Sequence, residues 1–191
     1  MTTIIAIHTP EGHVLAAADS QVTVCGSIRQ TMLRSKIQTR YSDGLAIRFA
    51  TAGELRLSDL VRYFPMPSGL GDADDAHEWL ATQMVPALRA YCAEAGWPEE
   101  EDKASASFEI MIVIGSRVWR IGRDWSLFEP GGPYVAIGSG ECYALGALHA
   151  LSDQSPGMDP ATLACVALDA VSAYDVSTSP PYTLEVSEAE R

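Results

Sequence analysis

The chain has 191 residues, of which 47% are hydrophobic and 20% are charged, and its 13 basic and 25 acidic side chains give a formal net charge of −12 at pH 7. This apolar fraction excludes an intrinsically disordered chain and predicts one globular domain over residues 1–191, or at most two small ones. The acidic balance argues against nucleic acid and anionic membranes as partners, because phosphate groups are bound mainly by Lys and Arg.

The cysteine pattern predicts a reduced, cytoplasmic protein without a structural metal. Four cysteines are spread along the chain and form neither a Cys-x-x-Cys pair nor a Cys/His cluster with zinc spacing: Cys25, Cys92, Cys142 and Cys165. No secretory signal pattern opens the chain, and its apolar runs are shorter than the roughly 18 residues of a membrane-spanning helix. Free and mostly buried thiols are therefore expected.

The first half of the chain predicts strands followed by helices. Apolar, β-branched runs separated by turns at Pro10–Gly12 and Ser42–Gly44 predict the strands Thr2–Ile7, His13–Ala18, Lys36–Tyr41 and Leu45–Thr51. Apolar residues then recur at helical spacing, which predicts one helix over Leu55–Phe64 and another whose apolar face runs from Trp79 to Cys92.

The second half repeats this order. Strands are predicted at Phe108–Ile114, Val118–Ile121, Leu127–Phe128 and Tyr134–Ile137, and a last one at Tyr182–Val186. Helices are predicted from near Ser139 to Leu151 and from Pro160 to Tyr174, with Asp159 as the N-cap of the second. Because the strands are clustered, we expect an α+β fold of two stacked antiparallel sheets with a helix pair on each outer face, which makes four layers.

The N-terminus offers a candidate nucleophile. Thr2 follows Met1 and is small enough for methionine removal to be expected, which would leave a threonine with a free α-amine. A hydroxyl is weakly nucleophilic by itself, but an adjacent amine with a pKa near 8 can accept its proton. The alternative interpretation is that a small second residue is common and has no function.

Several short segments, taken in order, support the first interpretation. They are Thr2-Thr3-Ile4, the run from Ala17 to Thr23, Lys36, Thr51-Ala52-Gly53 and Gly138-Ser139-Gly140. Together they resemble the proteasome β-subunit and HslV family of N-terminal-threonine hydrolases, most closely HslV. The resemblance extends over nearly the whole chain and implies a four-layer αββα sandwich that cleaves a peptide or unfolded protein. It also implies a homo-oligomeric double ring of about 12 or 14 copies, an ATPase unfoldase as a partner, and no cofactor.

The resemblance assigns roles to the first three site residues. Thr2 would be the nucleophile and its amine the base, with Asp19 and Lys36 buried beside it. A lysine ammonium there would favour the threonine alkoxide and would keep the amine neutral by repulsion. Considered without the family, Lys36 reads as a surface lysine at a strand edge.

Further roles follow from the resemblance, each with a structural alternative. Gly53 would donate its N–H to the oxyanion, or is an ordinary turn glycine. Ser139 would help to relay the proton, or is a helix N-cap. Asp175 and Thr178 would orient the nucleophile, or belong to a polar turn before the last strand.

The substrate side chain would be selected by Val22 and Thr51, whose small or apolar side chains predict a shallow, uncharged pocket. The leading hypothesis is therefore a threonine endopeptidase subunit. Two alternatives remain open, namely a small-molecule amide hydrolase of the same fold and a catalytically inactive, ring-forming subunit. The sequence lacks a G-x-x-x-x-G-K-[ST] phosphate loop, so ATP hydrolysis would belong to a partner.

Overall fold

The computed structural model describes residues 2–24, 27–72, 75–98 and 108–187. Its strands are β1 (Thr3–His8), β2 (Val14–Asp19), β3 (Gln21–Val24), β4 (Ile28–Thr31), β5 (Ile37–Ser42), β6 (Leu45–Ala52), β7 (Glu109–Ile114), β8 (Arg117–Ile121), β9 (Leu127–Phe128), β10 (Tyr134–Gly138) and β11 (Tyr182–Val186). Its helices are α1 (Leu55–Tyr63), α2 (Ala76–Trp79), α3 (Val85–Glu94), α4 (Glu141–Gln154) and α5 (Pro160–Ser172). A π-helical turn at Leu80–Met84 joins α2 to α3.

The strands form two main antiparallel sheets and one separate hairpin. The order in the first sheet is β10-β1-β2-β11 and in the second β5-β6-β7-β8-β9. The hairpin pairs β3 with β4 and was not predicted from the sequence. Its strands are short, and every residue of β4 is exposed, so the hairpin leaves no apolar alternation in the sequence.

Strand alternation divides the core into three apolar layers. Even-numbered residues of β1, such as Ile4 and Ala6, contact the second sheet through residues such as Met111 and Val113. Odd-numbered residues of β1 pack against α4 and α5. The opposite face of the second sheet, which includes Phe49, packs against α1 and α3. The predicted four-layer αββα sandwich is therefore confirmed.

Local chemistry sets where the last two helices begin. Asp159 caps α5, since its carboxylate accepts a hydrogen bond from the Thr162 N–H at 2.9 Å, and Pro160 occupies the first turn as predicted. Helix α4 begins at Glu141, two residues after Ser139, near which its start was expected. Gly140 is its N-cap, and no side chain caps this helix.

The cysteines follow the expectation only in part. Cys92 is buried and Cys165 is half-buried, but Cys142 is exposed on α4, so the expectation of burial is wrong for Cys142; Cys25 lies outside the described residues. Within the described ranges, no helix is long and apolar enough to cross a membrane. The same residues contain no group of three or more His, Cys, Asp or Glu side chains that could hold a metal ion.

Candidate active site

Lys36 forms hydrogen bonds both to Thr2, which precedes β1, and to Asp19 at the end of β2. Its ammonium nitrogen donates to the Thr2 hydroxyl oxygen at 2.6 Å, to Asp19 Oδ1 at 2.8 Å and to the Gln21 carbonyl at 2.6 Å. All three of its N–H donors therefore have a partner. Because Lys36 is only 5% exposed, the alternative of a surface lysine at a strand edge is wrong.

The strand register brings these residues together. Thr3 begins β1, and the pairing of Ile4 with Ala18 places the first residues of β1 beside Asp19 at the end of β2. The Asp19 carboxylate accepts the Thr3 N–H at 3.0 Å and the Gln21 N–H at 2.9 Å. These two bonds hold a carboxylate that is almost fully buried, and they fix it next to Lys36.

The environment of Lys36 alters its acidity. Burial lowers the pKa of the ammonium below its ordinary value, although the carboxylates of Asp19 and Asp175 act in the opposite direction. A lysine with a lowered pKa exchanges a proton more readily near neutral pH than a solvated lysine does. A group of this kind next to a hydroxyl is typical of catalytic sites.

A second polar cluster is centred on Asp175, just after α5. Its Oδ2 accepts the hydroxyl protons of Ser139 and Thr178, both at 2.7 Å, and its Oδ1 accepts the Ser177 N–H at 3.0 Å. Burial alone would raise the pKa of Asp175, but these hydrogen bonds outweigh it and lower the pKa. The N-cap interpretation of Ser139 is therefore wrong, because its hydroxyl bonds a carboxylate instead of the helix.

The Asp175 cluster also reaches the N-terminal residues. The Thr178 hydroxyl lies 2.5 Å from the Thr3 hydroxyl, and the Ser139 N–H donates to the Thr2 carbonyl at 3.0 Å. Ser139 and Thr178, both bonded to Asp175, thus contact Thr2 and Thr3, which also contact Lys36 and Asp19. The alternative of a polar turn is correct for the backbone, since the Thr178 N–H donates to the Asp175 carbonyl at 3.2 Å. The side chains of Asp175 and Thr178 also bond Ser139 and Thr3, which lie outside that turn.

Two glycines allow the Ser139 turn to approach this closely. At Gly138, whose φ is +94°, a Cβ atom would overlap the Thr2 carbonyl oxygen. At Gly140 a Cβ atom would overlap the Thr3 hydroxyl. The sequence motif Gly-Ser-Gly therefore has a steric reason that sequence reasoning did not identify.

A cavity of about 210 Å³ opens beside Thr2. It is lined by Thr2, Ala52, Gly53, Phe108, Glu109, Gly138 and Ser139. Gly53 has a φ of +116°, so the turn after β6 requires glycine. Val22 and Thr51 do not line this cavity. Thr51 shares a strand face with Phe49, which points toward α1 and α3, and the selection of substrate side chains by Val22 and Thr51 stays a prediction.

Glu109 is the charged residue of this cavity, and the sequence analysis assigned it no role. It begins β7, and its carboxylate accepts the Gly138 N–H at 2.8 Å and forms an ion pair with Arg120. The available signal was a single carboxylate directly before the apolar run Ile110–Ile114. A charged residue at the end of an otherwise buried strand lies where the core meets solvent.

The chain is similar to protease subunits along nearly its whole length. The ATP-dependent protease subunit HslV of Oceanobacillus iheyensis is 26% identical over 192 residues, which cover 98% of this chain and 96% of the relative. The structure of Thiobacillus denitrificans BPH in complex with epoxomicin covers 100% of both chains, with a TM-score of 0.75 and 20% identity. HslV from Trypanosoma brucei gives a TM-score of 0.68 and 21% identity over 97% of this chain and 98% of its own. No protein-family model matches. The resemblance to HslV and the fold it implies are confirmed.

Proposed function

We propose that this chain is the catalytic subunit of a threonine peptidase, with Thr2 as the nucleophile after removal of Met1. The observation that carries the proposal is the buried contact of 2.6 Å between the Lys36 ammonium and the Thr2 hydroxyl. A hydroxyl that points at a buried cation is disposed to become an alkoxide. The similarity to HslV over 98% of the chain supports the same reaction class.

The reaction begins when the Thr2 oxygen attacks the carbonyl carbon of the scissile peptide bond. The hydroxyl proton passes to the α-amine of Thr2, and the Gly53 N–H donates to the oxyanion of the tetrahedral intermediate. The amine then gives the proton to the leaving nitrogen, the C–N bond breaks, and an ester to Thr2 remains. Water, deprotonated by the same amine, hydrolyses this ester to a carboxylic acid and restores the threonine.

Each neighbouring residue has a part in this proposal. Lys36 stabilises the negative charge that develops on the Thr2 oxygen, and Asp19 keeps Lys36 charged and in place. Ser139 and Thr178, both hydrogen-bonded to Asp175, hold the backbone around the amine and offer a route for its proton. No step in this scheme requires a metal or an organic cofactor.

Assembly completes the proposal. HslV subunits are named as parts of an ATP-dependent protease, and we extend this to a homo-oligomeric double ring of about 12 or 14 copies that accepts unfolded protein from an ATPase partner. The described cysteines are free thiols, which fits a reducing compartment such as the cytoplasm. A monomer or dimer by native mass spectrometry would instead favour a small-molecule amide hydrolase.

The decisive experiment is the intact mass of the purified protein before and after exposure to epoxomicin, a peptide epoxyketone that reacts with N-terminal threonine. We expect loss of Met1 and a gain of one inhibitor per chain, together with hydrolysis of fluorogenic peptides. The Thr2→Ala variant should show neither adduct nor hydrolysis, whereas Thr82→Ala, an exposed helix position, should behave like the wild type. Retention of Met1 without an adduct, or peptide hydrolysis by Thr2→Ala, would refute the proposal.

A further inference from the structure

A second ionic network lies next to the cavity and joins the second sheet to α4. Arg120 on β8 lies between the carboxylates of Glu109 on β7 and Glu141 on α4. Its guanidinium donates to both oxygens of Glu141, at 2.6 and 3.1 Å, and to one oxygen of Glu109. Burial alone would lower the pKa of Arg120, but the bonds to Glu141 and Glu109 outweigh burial and raise it, so the arginine stays charged.

Strand alternation explains why charged groups occur at this position. Met111 and Val113 face the first sheet, and Glu109, two residues before Met111, shares that face of β7. Arg120 pairs with Met111 across the β7–β8 ladder and lies on the same face. Both residues are therefore at the end of the apolar layer between the sheets. The side-chain exposures of 28% for Glu109 and 17% for Arg120 fit this boundary.

Glu109 is connected both to the turn beside Thr2 and to the end of β6, directly before Gly53. Its second oxygen accepts the Gly138 N–H at 2.8 Å, so it binds the turn that touches Thr2. Gly138 and Ser139 both contact the Thr2 carbonyl oxygen, the first by close approach and the second by a hydrogen bond. The backbone of Glu109 pairs with Ala52, the residue before Gly53.

We propose that Glu109 is a positioning residue, which anchors the Gly138–Gly140 turn to the sheet that carries Gly53 and thereby sets the distance between the Thr2 hydroxyl and the oxyanion donor. The two groups adjoin different sheets, because Thr2 directly precedes β1 and Gly53 directly follows β6. The Glu109–Gly138 hydrogen bond is a direct polar link between those sheets at the site. Arg120 and Glu141 hold the carboxylate of Glu109 in the required direction. This inference rests on the proposed peptidase function.

The effect should appear in the chemical step. Reacting groups must be aligned within a fraction of an ångström, and a displacement of about 1 Å can reduce the rate about a hundredfold. Glu109→Ala removes the anchor and leaves Arg120 paired with Glu141, so no buried cation is left without a partner. Glu109→Gln keeps one carbonyl oxygen that can accept the Gly138 N–H, and it should recover part of the loss.

The test compares kcat and KM for a fluorogenic peptide, and the rate of epoxomicin adduct formation, across four proteins. These are the wild type, Glu109→Ala, Glu109→Gln and the control Glu129→Ala. The control breaks the bidentate pair of Glu129 with Arg117, which lies on β8 like Arg120. We expect kcat to fall about tenfold to a hundredfold in Glu109→Ala, less in Glu109→Gln and less than about twofold in the control. KM should stay within about twofold throughout.

Hydrogen exchange provides a readout that does not depend on activity. Backbone amides in a peptide covering residues 134–141 should exchange faster in Glu109→Ala than in Glu129→Ala, because the turn loses its anchor. Should Glu109→Ala fail to fold or assemble, Glu109→Gln carries the comparison.

Wild-type kcat in Glu109→Ala, a change confined to KM, or an equal loss in Glu129→Ala would overturn the proposal for Glu109 alone. A wild-type protein that neither cleaves peptides nor reacts with epoxomicin would overturn the peptidase function, and this inference with it.

Discussion

The Lys36 ammonium nitrogen lies 2.6 Å from the Thr2 hydroxyl oxygen, in a position where the lysine is almost fully buried. The same nitrogen forms an ion pair of 2.8 Å with Asp19. Under the proposed function this one cation would serve two purposes, since it would activate a hydroxyl and it also neutralises a buried carboxylate. Substitutions can separate these two contributions.

Replacement of Lys36 should cost stability and activity together. Lys36→Met leaves the buried Asp19 carboxylate without its partner, which costs about 3–5 kcal/mol of unfolding free energy. The double variant Lys36→Met/Asp19→Asn removes both charges and should regain much of that stability. Both the single and the double variant should lack peptidase activity, and in both the rate of epoxomicin adduct formation should be at least about a hundredfold lower than in the wild type. Urea unfolding and intact mass measure the two effects, and a double variant that regained its activity would contradict the role of Lys36.

Loss of the Ser139 hydroxyl should affect catalysis more than folding. Ser139→Ala removes one of the two hydroxyl donors to Asp175 Oδ2 and leaves Thr178 in place. We expect kcat to fall about tenfold to a hundredfold, with a change in unfolding free energy of about 1 kcal/mol. Ser172→Ala is the control, since this half-buried serine at the end of α5 donates its hydroxyl to the Asp169 carbonyl and lies beside the Tyr182 hydroxyl, away from Asp175. Equal kcat values for the two variants would show that Ser139 is structural.

The glycine at position 138 should not tolerate a side chain. Gly138→Ala introduces a Cβ that overlaps the Thr2 carbonyl and places alanine at a φ of +94°, which together should cost at least about 2 kcal/mol and displace the nucleophile. Gly146→Ala on α4 is the matched control, because nothing lies within 4 Å of its added Cβ. This control should raise the unfolding free energy by about 0.5–1 kcal/mol. Thermal unfolding and peptide hydrolysis of both variants test the contrast, and a fully active Gly138→Ala would contradict it.

Asp175 should make stability depend on pH in the acid range. Because hydrogen bonds lower its pKa below the ordinary 3.8, the folded state favours the carboxylate and the unfolded state binds the proton more readily. The stabilisation is therefore complete above about pH 4 and is lost as the pH falls through the lower folded value. Asp175→Asn should lose about 1–3 kcal/mol at pH 7, and its difference from the wild type should shrink by pH 3. Urea midpoints at both values test this. The exposed Asp153, replaced by Asn, serves as the control, and a constant difference between wild type and Asp175→Asn would contradict the prediction.

Much of the fold followed from local patterns. Ile4 and Ala6 alternate with Ile5 and Ile7 along β1, and this period of two, with apolar residues on both faces, indicates a strand covered on both sides. The N-cap at Asp159 could be predicted from the sequence because the capping hydrogen bond joins two residues only three positions apart, Asp159 and Thr162. The β3–β4 hairpin was missed because its strands are short, β4 is exposed throughout, and neither strand carries a core pattern.

The candidate site was predictable only in part. The sequence order and the HslV resemblance indicated Thr2, Asp19, Lys36 and Ser139, and the structure brings these residues together. Glu109 was missed, because its partners Gly138 and Arg120 lie 29 and 11 positions away and no local spacing connects them. Ser139 was open to a capping interpretation, and only its bond to Asp175, 36 positions away, decided the question.

Apart from the β3–β4 hairpin, the sequence by itself determined the succession of strands and helices, the acidic charge and the presence of a threonine that methionine removal would expose. These properties depend on residue type and on periodicity over a few positions. Only the tertiary structure decided that Lys36 is buried against Thr2 and that Asp175 joins Ser139 to Thr178. It also decided that Glu109 reaches from one sheet to the other. Such contacts depend on which strands and helices pack together, and a contact between residues far apart in the chain leaves no periodic signal in the residues that form it.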